Sequence, residues 1–143
     1  MRHESIIRVQ DVMKRQFGRM DGMTTVRDAL LAMKHPETRS IIVERRDDDD
    51  EFGLVLIADI AKKVLAADRS PERVNLYEIM AKPVLGVAPQ MRIHHCARLL
   101  ERFSIMRAPV IQDRNVIGIV SYHDLVLRGL LRQIKAAEEA ERP

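Results

Sequence analysis

The residues able to do chemistry are few, and the densest group lies in "GIVSYHDLV", residues 118–126, where Ser121, His123 and Asp124 separate an apolar run from the start of an apolar helical pattern. A hydroxyl, an imidazole and a carboxylate so close together suggest hydrolysis. No oxyanion arrangement can be argued for them, however, and the chain has no G-x-S-x-G, no Walker-type phosphate loop and no G-x-G-x-x-G. Asp124 itself admits two readings. In front of a helix it is a natural N-cap. As a charged group that only accepts hydrogen bonds, it also suits paired hydroxyl donors on a ligand, each such bond being worth roughly 1.5–3 kcal/mol. "FGLVLIADI", residues 52–60, repeats the pattern with Gly53 and Asp59, but with Leu56 where Ser121 stands.

Other candidate chemistry fails on geometry. His94, His95 and Cys96 are consecutive, and on a helix consecutive side chains point about 100° apart, so they cannot converge on one ion. Cys96 reads as a buried small hydrophobe. The acidic run Asp47–Glu51 lacks the alternation and turning glycine of an EF-hand loop and reads as a solvated hairpin. The single cysteine excludes an internal disulfide and any multi-cysteine metal site, which fits a reducing compartment. No apolar run approaches the roughly 20 residues of a membrane helix, and residues 1–13 have no signal-peptide apolar region, so the expected location is cytoplasmic. The net charge of +3 comes from Lys and Arg scattered among acids, and only three Phe and two Tyr are available to stack on bases, so nucleic-acid binding has little support.

The elements that must position these residues are written twice. At an offset of 67 residues, Asp11–Met13 meets Glu78–Met80, Val26 meets Ile93, Met33 meets Leu100 and Val43 meets Val110. After the acidic run the offset falls to 65, so that Gly53 meets Gly118, Val55 meets Val120, Asp59 meets Asp124 and Leu65 meets Leu130. A longer surface hairpin in the first copy accounts for the slip. In the second copy, Asn75 and Glu78 form a capping-box pattern opening a short helix that Pro83 stops. "IHHCARLLERF" then puts Ile93, Cys96, Ala97, Leu99, Leu100 and Phe103 on one buried helical face. "APVIQ" and "NVIGIVS" form a hairpin about Asp113 and Arg114, and a final helix starts near Tyr122. Thr25 and Asp28 open the matching helix of the first copy. The expected domains are a repeat over 1–67, a connection over 68–75 and a repeat with a C-terminal helix over 76–143.

As an ordered pair, "TVRDALLAM…SIIV…GLVLIADI" and "IHHCARLL…RAPV…GIVSYHDL" resemble tandem cystathionine β-synthase (CBS) domains, the Bateman module, over nearly the whole chain. The resemblance implies an α+β fold of two β-α-β-β-α repeats related by pseudo-twofold symmetry. It also implies clefts between the copies for an adenosine-containing ligand: AMP, ADP, ATP, NAD or S-adenosylmethionine. In that family the final Asp binds the ribose hydroxyls, a nearby Ser or Thr and basic side chains hold phosphate, and backbone near "APV" meets adenine. Carried onto this chain, these roles fall on Asp124 and Ser121, with Arg107 and His123 as the nearest phosphate contacts. Adenine would lie against Met106, Ala108 and the Val84–Gly86–Val87 strand. Asp59 is the equivalent in a less equipped copy, where Leu56 cannot donate to phosphate and Ile41 and Ile42 replace Ala108 and Pro109.

The function expected is that of a non-enzymatic sensor that requires no cofactor, binds an adenine nucleotide as a regulatory ligand and signals to a separate effector protein. A homodimer formed through "DALLAMK", "CARLLERF" and "LVLRGLLRQIKAAEEA" is also expected from the resemblance. The rival reading is a ligand-free interaction module in which both aspartates are only caps; nucleic-acid binding ranks below it.

Overall fold

The computed structural model describes residues 6–82 and 85–142, which form two compact units of mixed α+β character. In chain order the elements are α1 (Val9–Val12), β1 (Gly18–Met20), α2 (Val26–Ala32), β2 (Ser40–Val43), β3 (Gly53–Leu56), α3 (Ile57–Ile60), α4 (Leu76–Ile79), α5 (Ile93–Arg102), β4 (Arg107–Gln112), β5 (Asn115–Ser121), α6 (Tyr122–Asp124) and α7 (Leu131–Glu141). A 3-10 turn lies at Pro36–Thr38, and π-helical turns at Ala61–Leu65 and Leu125–Leu130 extend α3 and α6. The repeats at 1–67 and 76–143 are units of sequence, whereas the compact units are drawn across them. One takes its described residues from 16–82, and the other from 6–15 together with 85–142.

Backbone pairing explains the exchange. In the second unit, the Val9 N–H donates to the Met91 carbonyl at 2.8 Å and the Ile93 N–H to the Ile7 carbonyl at 3.1 Å. The same two bonds recur in the first unit, from the Leu76 N–H to the Thr24 carbonyl at 2.9 Å and from the Val26 N–H to the Val74 carbonyl at 2.8 Å. Val74 and Asn75, expected in the connection over 68–75, are therefore structural: Val74 is buried, and Asn75 bridges Thr25.

In the first unit β2 lies between β1, to which it is parallel, and β3, to which it is antiparallel with Ser40 opposite Leu56. "SIIV" is buried along its whole length, as a covered central strand requires. The Thr25 hydroxyl accepts the Asp28 N–H at 3.1 Å and opens α2, while Val26 and Ala29 join the core of Ile41, Val43, Val55, Leu76 and Ile79. In the second unit β4 and β5 form the expected hairpin. Asp113 and Arg114 both have φ near +60°, the geometry of a type I′ turn, whose twist matches that of the flanking strands. Val87 pairs parallel to Val110 at the hairpin's edge, the position β1 holds in the first unit. Ile93, Cys96 and Leu100 of α5 are buried against this hairpin together with Val9 and Val12 of α1. Phe103, expected on that face, is instead 54% exposed, because it lies beyond the last full helical turn, where φ/ψ leave the helix.

Gly118 has no room for a side chain. A Cβ there would lie 2.6 Å from Met13 Sδ and 2.9 Å from the Lys14 carbonyl oxygen. At Gly53 the closest contact is Met80 Sδ, a flexible side chain that can move aside. Gly118→Ala should therefore lower stability by about 1–3 kcal/mol, and by more than Gly53→Ala does. Urea midpoints at unchanged m-value would measure the difference.

Candidate functional site

Both units turn from strand into helix through the same cap. At the end of β3 the Leu56 N–H donates to Asp59 Oδ2 at 2.9 Å, and at the end of β5 the Ser121 N–H donates to Asp124 Oδ2 at 3.0 Å. Each aspartate thus satisfies an otherwise orphaned donor at its helix start. The cap uses one oxygen, and the fate of the other distinguishes the units. Asp124 Oδ1 accepts a 2.8 Å bond from Lys14 Nζ, with the Asp124 side chain 4% exposed and that of Lys14 30% exposed. Its Oδ2 also accepts the Ser121 hydroxyl at 3.0 Å, while Ser121 Oγ accepts the Asp124 N–H at 3.2 Å. At Asp59, which is half-buried, nothing among the described residues donates to Oδ1.

Lys14 was not singled out in the sequence, although the signal was there. Extending the 67-residue offset by one residue past Met13 sets Lys14 against Ala81. The two occupy equivalent places, since Lys14 exchanges two backbone hydrogen bonds with Ile119, both 2.9 Å, and Ala81 exchanges two with Leu54, of 2.9 and 3.3 Å. The methyl group of Ala81 carries no charge to offer Asp59.

The other expected residues are distributed around this turn. Arg107 faces Ser121 across the β4–β5 ladder, and the Met106 carbonyl accepts the Tyr122 N–H at 3.0 Å, which brings both near Ser121 and Asp124. His123 is exposed. Ala108 and Val87 belong to the core, so their side chains face inward and only their backbone is left for outside contact. Part of that backbone is used, since the Val87 N–H donates to the Pro109 carbonyl and the Ile111 N–H to the Val87 carbonyl. Pro109 is itself buried opposite Ile119. At Gly86 a Cβ would lie 2.4 Å from Ile111 Cδ1, so any larger residue there requires the Ile111 side chain to shift. Val84 lies outside the described residues.

Two titratable groups away from this turn, Asp50 and Cys96, have local explanations. Lys82, 2.6 Å from Asp50, is the main cause holding that carboxyl below the usual carboxylate range, with help from the Arg46 N–H at 2.9 Å. The buried Cys96 thiol is pushed up to about 11 by desolvation. Among the described residues no group of three or more His, Cys, Asp and Glu side chains is placed to hold a metal ion. No helix among them is long and apolar enough to cross a membrane.

Comparison with known proteins puts this geometry in context. The family profile of the CBS domain matches residues 76–130. The hexameric CBS-CP12 protein from bloom-forming cyanobacteria is 34% identical, with 94% of this chain and 84% of that chain covered at a TM-score of 0.81. The mitochondrial CBS domain-containing protein CBSX3 of Arabidopsis thaliana is 26% identical over 128 residues, which is 82% of this chain but 62% of that relative. The chain covers only 52% of another curated relative, from Methanopyrus kandleri. The CBS domain pair of protein MJ0100, solved with 5′-methylthioadenosine and S-adenosyl-L-methionine, shares the fold at a TM-score of 0.73 and 22% identity, with 90% of this chain and 99% of that chain covered.

Two outcomes follow from the local chemistry. Ser121→Ala removes both a donor to buried Asp124 and an acceptor for its N–H, and should cost about 1–3 kcal/mol in urea unfolding. Cys96 should react with a disulfide reagent at pH 8 far more slowly in the native than in the unfolded protein. Its contribution to stability is complete below pH 9, where the thiol is neutral in both states, and is lost as pH rises towards about 11. Comparable labelling rates for native and unfolded protein would contradict the burial.

Proposed function

The chain belongs to the CBS-domain family, and from that premise we propose that it is a non-enzymatic regulatory module that takes an adenosine-containing ligand and passes the change to an effector protein. The observation that carries this reading is the repeated strand-to-helix aspartate. In each unit one carboxylate oxygen is fixed by its own turn, while the other accepts from Lys14 at Asp124 and from nothing among the described residues at Asp59. A carboxylate held this way presents an oriented acceptor to the vicinal hydroxyls of a ribose. The ligands of MJ0100, both adenosine derivatives, support the choice of chemical class. A ligand taken at the Asp124 turn would meet Lys14, Ser121, Arg107 and His123 with its phosphate, and its adenine would lie against the backbone of Met106, Ala108 and Pro109, with that of Gly86 and Val87.

A binding event regulates only through differential affinity for two arrangements, and a tenfold preference supplies about 1.4 kcal/mol. Exposed apolar side chains on the helices support self-association as part of the output. Leu127 is 61% exposed, Leu130 48% and Ile134 50%, while Leu31 of α2 is 71% exposed. Rows of this kind suit a homodimer more than an isolated surface.

Calorimetric titration with AMP, ATP, NAD and S-adenosylmethionine tests the reading, with saturable binding of at least one of them expected. Silence at millimolar concentration of all four would favour the ligand-free interaction module instead. Sedimentation velocity should give a dimer that Leu127→Lys shifts towards monomer without loss of helicity.

A further inference from the structure

The two aspartates are not equally available, and we infer that Lys14 is the residue that decides between them: its ammonium occupies the outer oxygen of Asp124 as a built-in cation, so the ligand is taken through Asp59. This inference rests on the reading that the ligand's hydroxyls seek these carboxylates, and it names which one they reach. Asp124 has both oxygens engaged, Oδ1 by Lys14 at 2.8 Å and Oδ2 by the N–H and hydroxyl of Ser121, each at 3.0 Å. Lys14 is also anchored at its base by two 2.9 Å backbone bonds with Ile119, so the ammonium starts from a fixed point near its partner.

Displacing it is unfavourable on two counts. Neutral hydroxyl donors would have to replace a full positive charge beside a carboxylate whose side chain is 4% exposed, where low local polarity strengthens the ion pair. The released ammonium would also lose its only partner among the described residues. At Asp59 the same hydroxyls would meet a half-buried carboxylate whose Oδ1 accepts nothing from the described residues. Ala81, at the place equivalent to Lys14, removes the competing cation.

The presence of Ser121 made Asp124 the favoured carboxylate in the sequence. In the structure Ser121 Oγ is engaged in both directions within the cap, donating to Asp124 Oδ2 and accepting the Asp124 N–H. The hydroxyl that seemed to equip this turn for a ligand instead helps close it.

The test is calorimetric titration of the full chain with AMP and, in parallel, with 5′-methylthioadenosine, which has the ribose diol but no phosphate to attract a lysine. Wild type should bind one equivalent per chain. Asp59→Asn keeps an acceptor for the Leu56 N–H but turns an amide towards the ligand, and should weaken binding by about a hundredfold, the loss of two charge-assisted bonds. Asp124→Asn should change affinity less than about threefold. Lys14→Met should add a second equivalent that survives Asp59→Asn. Because Lys14→Met leaves a buried charge unpaired and could impair folding, Ala81→Lys provides the reciprocal variant at an exposed position, and it should abolish methylthioadenosine binding. Two equivalents bound by wild type, loss of binding with Asp124→Asn in place of Asp59→Asn, or full binding by Ala81→Lys would overturn the role of Lys14. Silence of wild type and of Lys14→Met towards both ligands would instead overturn the adenosine reading on which it rests.

Discussion

A two-stranded hairpin is marginally stable by itself in water and needs other elements packed on its apolar face, and this constraint shapes the whole chain. The β4–β5 hairpin and α5 share an apolar face that Leu125 covers in part. Residues 6–15 cover it, with Ile7, Val9, Val12 and Met13 entering the same core as Cys96, Leu100 and Val120. The first unit meets the need in the same way, with Val74, Leu76 and Ile79 from beyond its repeat. In both cases the covering segment is locked by two backbone bonds at the mouth of a helix and two at the edge of a strand, so register and packing are fixed together.

That locking has a chemical consequence at the turns. The residue that closes the edge pairing with β5 is Lys14, and the one that closes it with β3 is Ala81. Lys14 reaches the capping Asp124, whereas Ala81, at the equivalent place in the other unit, carries no charge. The duplicated scaffold therefore holds two carboxylates in matching geometry and gives them different electrostatic surroundings by a single difference in side chain. Asp124 belongs to a network of Lys14 and Ser121, whereas among the described residues Asp59 is tied only to its own turn. Structural stability and ligand access pull in opposite directions at Asp124, since every bond that secures the buried carboxylate also uses an acceptor site.

Much of this was legible in the sequence because it is local. The Thr25 cap, the Asp113–Arg114 turn and the burial of Ile93, Cys96 and Leu100 follow from residue type and spacing within a few positions. The paired offsets revealed the duplication, and the slip at the acidic run marked the longer hairpin. The compact units were not legible from the halves alone, because composition does not report which copy a short helix packs against. Phe103 was misplaced because helical spacing continues on paper past the residue where the helix stops. Lys14 was missed for a related reason: its importance depends on Asp124, 110 residues away, and no local motif announces such a pair. Only a residue-by-residue comparison of the copies would have exposed it, as a charged side chain at a position where the other copy has a methyl group.

The exchanged segments also bear on how such a chain could arise. A polypeptide carrying one repeat would own the covering strip for a neighbour's core but not for its own, and two molecules would have to trade strips before either could fold. Its native state would depend on concentration. Joining two copies end to end replaces that encounter with an internal one at high effective concentration, so that assembly becomes a first-order event. Once joined, the copies are also free to diverge, and a lysine in one strip with an alanine in the other is an asymmetry that an identical pair of molecules could not have carried.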